Sequence, residues 1–161
     1  MTNFKRIFSN ILVGIDGSND SLEGMYYAIK IAECMGSKLT FLYVITENYI
    51  KEVFSGEEEI KKSKTQVDDL LLLQARTEQI GKATFHKIDE FIKSKNPDLQ
   101  YELKMGEGNP KDLFVKEINE NQYDLCILGS GSASKSFTAV FGRLSEHLLA
   151  NTKTPILIIH R

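Results

Sequence analysis

Two apolar runs that do not alternate constrain this chain more than any other feature. Leu125-Cys126-Ile127-Leu128 and Ile156-Leu157-Ile158-Ile159 are strand-sized and apolar at every position. A strand with one wet face would alternate, so both faces of these runs must be covered. That is the condition of a parallel sheet clothed in helices. Between the runs lie Gly129-Ser130-Gly131-Ser132-Ala133-Ser134, small and polar throughout, and then a helical pattern from about Ala139 to Asn151. The order is strand, glycine-serine loop, helix, strand. A loop that leaves the carboxyl end of a parallel strand and opens a helix is a usual anion site. Unpaired backbone N–H groups and the positive end of the helix dipole converge there.

The rest of the chain repeats the alternation. Ile11-Leu12-Val13-Gly14-Ile15 reads as a buried first strand ending at Asp16. Asp16-Gly17-Ser18-Asn19-Asp20 is turn and cap chemistry, so a helix is expected to start near Ser18 to Asp20. Leu22, Met25, Tyr26, Ile29, Ala32 and Cys34 form its expected inner stripe, and Gly36 its stop. Leu39 to Ile45 is the second strand, and the resulting βαβ unit makes the two strands parallel. From 46 to 64 the composition turns charged, with Glu57-Glu58-Glu59 before Lys61-Lys62 and Lys64. This insert reads as a mobile connection or a frayed helix start with a solvated surface. Val67 to about Lys95 is a long helical pattern whose centre Gly81 weakens slightly. Leucines at 70 to 73 run all round that helix. Core packing is the favoured reading, and contact with a partner subunit the other. Asn96-Pro97 ends the helix.

Leu99, Tyr101, Leu103 and Met105 alternate with polar residues, which predicts a half-exposed edge strand. Gly106-Glu107-Gly108-Asn109-Pro110 is a turn whose proline starts the next helix, with Leu113, Phe114, Ile118 and Tyr123 on its inner face. Five strands and four helices in alternation predict an α/β fold. The expectation is one domain over residues 1–161, built on a doubly wound parallel sheet.

Several function classes are disfavoured. The 161 residues carry a net charge of −2, too little positive charge for a broad grip on nucleic acid. No apolar run reaches membrane-spanning length, and Met1 to Arg6 leads into no secretory core, so no membrane partner and a cytoplasmic location are expected. Cys34 and Cys126 read as small buried apolar residues, and His86, His147 and His160 lie far apart, so no metal site is expected. There is no Walker-type glycine-lysine loop, no dinucleotide fingerprint after the first strand, and no nucleophile elbow. Ser130, Ser132 and Ser134 have no histidine near them in sequence, so no catalytic residue is assigned. Asp20, Glu23 and Glu146 are the sequence-near carboxylates that could be nominated for hydrolysis, and each reads better as helix-surface charge. Any hydrolytic activity is expected to be weak.

In an open α/β sheet, ligands sit outside the carboxyl ends of the strands, where the strand order reverses. Strand one ends in Asp16, Gly17 and Ser18; strand four ends in Gly129 to Ser134. If these strands are neighbours, their loops flank one crevice. Asp16 would then accept from a sugar hydroxyl or base amino group, or else be a plain turn residue. The small residues of the second loop would let backbone N–H groups approach phosphates. Val44, at the end of strand two, would offer backbone groups to a base edge.

At these residues the chain resembles the universal stress protein family. The likeness rests on Ile11 to Ser18, Leu42-Tyr43-Val44, Gly106 to Pro110, Asp124 to Ser130 and Pro155 to Ile159, and covers the chain apart from 46–64. It implies a five-stranded parallel sheet of order 3-2-1-4-5 and a homodimer paired through Pro155 to His160. Some members bind ATP through glycine, two residues, glycine, nine residues, glycine, then serine or threonine. Gly129 and Gly142 match the outer glycines across the nine residues from Ala133 to Phe141. Ser132 stands in place of the middle glycine, and Arg143 in place of the hydroxyl residue. The implied contacts to ATP or AMP, with or without magnesium, are Asp16, Gly17, Val44, Gly129, Ser130, Ser132, Gly142, Arg143 and Leu144. Arg143 would either clamp phosphate oxygens or fill the site with its bulk. The alternative implied by the two departures is a dimerisation or interaction module that binds no nucleotide.

Overall fold

Nine elements alternate through the molecule, and the computed structural model describes them over residues 7–46, 64–130 and 142–160. They are β1 (Asn10–Ile15), α1 (Asn19–Met35), β2 (Lys38–Ile45), α2 (Lys64–Lys95), β3 (Tyr101–Glu107), α3 (Pro110–Asn121), β4 (Leu125–Gly129), α4 (Gly142–Asn151) and β5 (Ile156–Ile159). The five strands form one sheet of order β3-β2-β1-β4-β5. Every pairing is parallel. The apolar runs demand this arrangement: Leu125 to Leu128 are all buried, because helices cover both faces.

Two cores result. On one face α1 and α2 bury Ile29, Ala32, Ile88 and Ile92 against Val13, Phe41 and Ile127. On the other, Phe114 and Ile118 of α3 and Leu148 of α4 close over Leu12, Leu42, Cys126 and Leu128. Side chains of one strand alternate between the two cores, as the period of two requires.

Local chemistry sets the element ends. Ser18 caps α1 with its hydroxyl accepting from the Ser21 N–H at 3.2 Å, and Gly36 ends the helix in the left-handed region at φ 65°. Asn109 caps α3 in the same way, with Pro110 at the first helical position. The edge placement read from the alternation in Leu99 to Met105 holds, because β3 is the outer strand of the sheet.

Three readings need correction. Cys34 is exposed, whereas Cys126 is fully buried. The inner face of α1 is Ser21, Gly24, Ala28, Ile29 and Ala32, while Tyr26 stands in solvent. Small side chains let the helix lie close to β1 and β4, and a Cβ on Gly24 would meet Ile127 at 3.7 Å. Leu71, Leu72 and Leu73 are 60%, 55% and 37% exposed, so the core reading of these leucines fails. Gln74 of α2 already meets Glu107, the last residue of β3, so the preceding turns of the helix project past the sheet. The charged insert lies outside the described residues except at its ends.

Candidate functional site

The turn after β1 is built by its own polar groups. Asp16 accepts the Ser18 N–H on Oδ1 at 2.8 Å, and its own N–H points to the Ser21 hydroxyl at 3.4 Å. Gly17 sits at φ +82°, a conformation in which any side chain would be strained. Asp16 is therefore a turn residue, as the plainer reading had it. Its carboxylate is nevertheless exposed, with acceptor capacity left after the one turn bond.

Strand order brings the second turn beside the first, because β1 and β4 are neighbours. A Cβ on Gly129 would lie 2.7 Å from the Asp20 carbonyl carbon and 2.7 Å from the Ser21 nitrogen. The end of β4 thus rests directly on the first turn of α1, whose cap belongs to the turn after β1. The glycine serves the helix approach here.

Ser130 is 4% exposed and fully engaged. Its N–H donates to the Ile159 carbonyl at 2.7 Å. Its hydroxyl donates to Asp20 Oδ2 and lies 3.0 Å from Nδ1 of His160 at the end of β5. His160 is therefore the histidine that belongs beside the loop, and His147 instead shares the α4 surface with Asn151. The serine sits between acid and imidazole with its proton turned to the acid, so it is not arranged as a nucleophile.

Beyond Val44, the rim on the β2 side was not legible in advance. Tyr43 is buried, and its hydroxyl donates to the Thr77 carbonyl of α2 at 2.9 Å. Burial, and then the negative charge of Asp16, push that hydroxyl above its ordinary pKa. Gly81 explains itself at this point: a Cβ there would meet the Tyr43 ring at 2.7 Å. Ile80 and Thr84 approach Gly17 from the same helix. The β1–β2 register pairs Ile15 with Tyr43, so Val44 falls level with Asp16.

On the α4 side, Gly142 opens the helix and Arg143 is exposed in its first turn. Leu144 is half-buried against the core beneath α3 and α4. Ser132 lies outside the described residues. The structure thus gathers Asp16, Gly17 and Val44 on one rim and Gly129 and Ser130 on the other, with the α1 amino terminus between them. The described residues contain no His, Cys, Asp or Glu group suited to a metal ion, so magnesium would have no such protein cluster among them. They also contain no helix long and apolar enough to cross a membrane.

A separate cleft of about 270 Å³ opens between β3 and α3, with Leu42, Gly106, Leu113, Lys104 and Glu117 in its walls. Glu117 Oε1 accepts from Lys104 at 2.7 Å and from the Tyr123 hydroxyl at 2.6 Å. These bonds fill the polar end of the cleft from within.

The model of the universal stress protein family matches residues 8–160. The chain belongs to the universal stress protein family. Among relatives, it is 21% identical to the universal stress protein MJ0531 of Methanocaldococcus jannaschii over 160 residues, covering 99% of this chain and 86% of that one. Among solved structures, it resembles the universal stress protein UspA from Lactobacillus plantarum with a TM-score of 0.76 at 18% identity, covering 94% of this chain and 97% of that one. It also resembles a family member from Arabidopsis thaliana with AMP bound, with a TM-score of 0.57 at 14% identity, covering 95% and 92%. At such identities the structures speak for the fold. The five-stranded order 3-2-1-4-5 is the family's α/β fold.

Proposed function

We propose that this universal stress protein is an adenine-nucleotide-binding regulatory module, holding ATP or AMP in the crevice between the turns after β1 and β4. The observation that supports the reading is the adjacency of β1 and β4, which sets the two turns side by side at the amino terminus of α1. The AMP-bound relative of the same fold supports it. Asp16 would accept from ribose or adenine beside Gly17, with Val44 at the base edge. The chain from Gly129 and Ser130 through Ser132 to Gly142 would lie along the phosphates. Arg143, exposed in the first turn of α4 beside Leu144, would supply positive charge to phosphate oxygens.

Calorimetric titration with AMP and with ATP tests this. Heat that saturates below about millimolar ligand is expected, lost or at least tenfold weaker in Asp16→Ala, since a charge-assisted bond contributes about 1.5–3 kcal/mol. No heat at millimolar nucleotide would end the proposal. A second reading, an interaction module that binds no nucleotide, is favoured by the exposed Leu71, Leu72 and Leu73 and by the serine and arginine at 132 and 143. It predicts nucleotide-independent melting.

A further inference from the structure

The hydroxyl of Ser130 has one proton, and two groups compete for it. Donation to Asp20 Oδ2 leaves the serine oxygen only as an acceptor toward His160. Nδ1 of His160 must then carry a hydrogen, in the neutral ring as in the imidazolium. The bonds run one way, from His160 through Ser130 to Asp20, and tie together the end of β5, the end of β4 and the first turn of α1.

Asp20 explains what such a relay does. Its carboxylate is half-buried at the second residue of α1, on the positive end of that helix. An anionic ligand entering between the two turns would be drawn to the same helix end and repelled by the same carboxylate. The hydrogen bond from Ser130 holds the charge on the β4–β5 side and engages it there. His160 in turn fixes the direction of the serine hydroxyl toward Asp20. We propose, resting on the nucleotide reading above, that Asp20 and His160 are positioning residues of the phosphate side of the site, acting through Ser130.

Two measurements test this together, with equal melting temperature as the fold control. Nitrogen NMR of the free protein at alkaline pH reads the tautomer of His160. The Nδ1–H form is expected, against the usual preference of free histidine, and an Nε2–H ring would overturn the relay whether or not nucleotide binds. AMP titration then compares variants. His160→Asn places an amide N–H near the Nδ1 position, and its affinity should stay within about twofold of the parent, whereas His160→Gln and Ser130→Ala should lose about fivefold, the scale of one net hydrogen bond. Equal affinity in all three variants overturns the positioning role while leaving the nucleotide reading intact. A parent protein that binds no AMP overturns that reading and the positioning role with it, and the tautomer still decides the relay.

Discussion

Gly129 shows how much one missing methyl decides. A Cβ there would meet Asp20 and Ser21 within 2.7 Å, and both nearest atoms are backbone, which cannot rotate aside. Gly129→Ala should therefore destabilise by about 2 kcal/mol, in the range of overpacked cores, as read by urea denaturation. Gly106→Ala should cost less, because its Cβ would meet the Leu113 side chain at 3.2 Å. A second residue-scale prediction concerns Tyr123. Burial first, and then the hydrogen bond to Glu117, push its hydroxyl well above the ordinary tyrosine range. Above about pH 10 the unfolded chain releases this proton while the folded chain keeps it. The unfolded state then binds fewer protons, so stability should fall as pH rises from about 10. Lys104, raised by its bond to Glu117, adds to the same slope. Tyr123→Phe should flatten the slope between about pH 9 and about pH 11 in chemical denaturation; an unchanged slope would refute the assignment. The turn at Asp16 and Gly17 was legible in sequence because turn chemistry is local, whereas the packing of Gly129 on α1 was not. The Asp20–Ser130–His160 relay was not, because its bonds join residues 110 and 30 positions apart.

Element by element, the chain's helices divide by what they cover. The stretch of α2 from Gly81 onward buries Thr84, Ile88 and Ile92, and carries the periodicity that made it readable. The turns around Leu71 to Leu73 are just as apolar but lie past the strand ends. Hydropathy alone cannot tell a leucine over a sheet from one beyond its edge; only the strand length can. Leu72→Lys should accordingly change stability by no more than about 0.5 kcal/mol, whereas Ile92→Ala should cost about 2–5 kcal/mol. Equal losses in thermal denaturation would mean that the leucine face is covered in solution. Helix α1 was misread at Tyr26 for the opposite reason. Apart from Ile29, its packed face is made of Ser21, Gly24, Ala28 and Ala32, and small residues give little hydrophobic signal.

At the scale of the molecule, the sheet order puts β3 and β5 at its two edges, and among the described residues they are dressed differently. On β3, Glu102 and Lys104 form ion pairs with Lys38 and Glu117, the charged protection that keeps an edge from pairing. On β5, Ile156, Leu157 and Ile158 are apolar and only half-buried, with no charge on the strand. An unprotected apolar edge next to a helix-covered core is where a second copy would complete the burial, through a two-fold contact of like surfaces. The homodimer expected through Pro155 to His160 belongs with the nucleotide proposal, and it would place the relay's histidine beside the contact. Ile158→Lys should then elute as a monomer in size-exclusion chromatography while the parent elutes as a dimer. Glu102→Lys, on the other edge, should leave the dimer unchanged. A parent that runs as a monomer at tens of micromolar would mean that this edge stays open in solution, and the dimer would have to be abandoned. A dimer that survives Ile158→Lys would move the contact elsewhere, with the exposed leucine face of α2 the next surface to substitute.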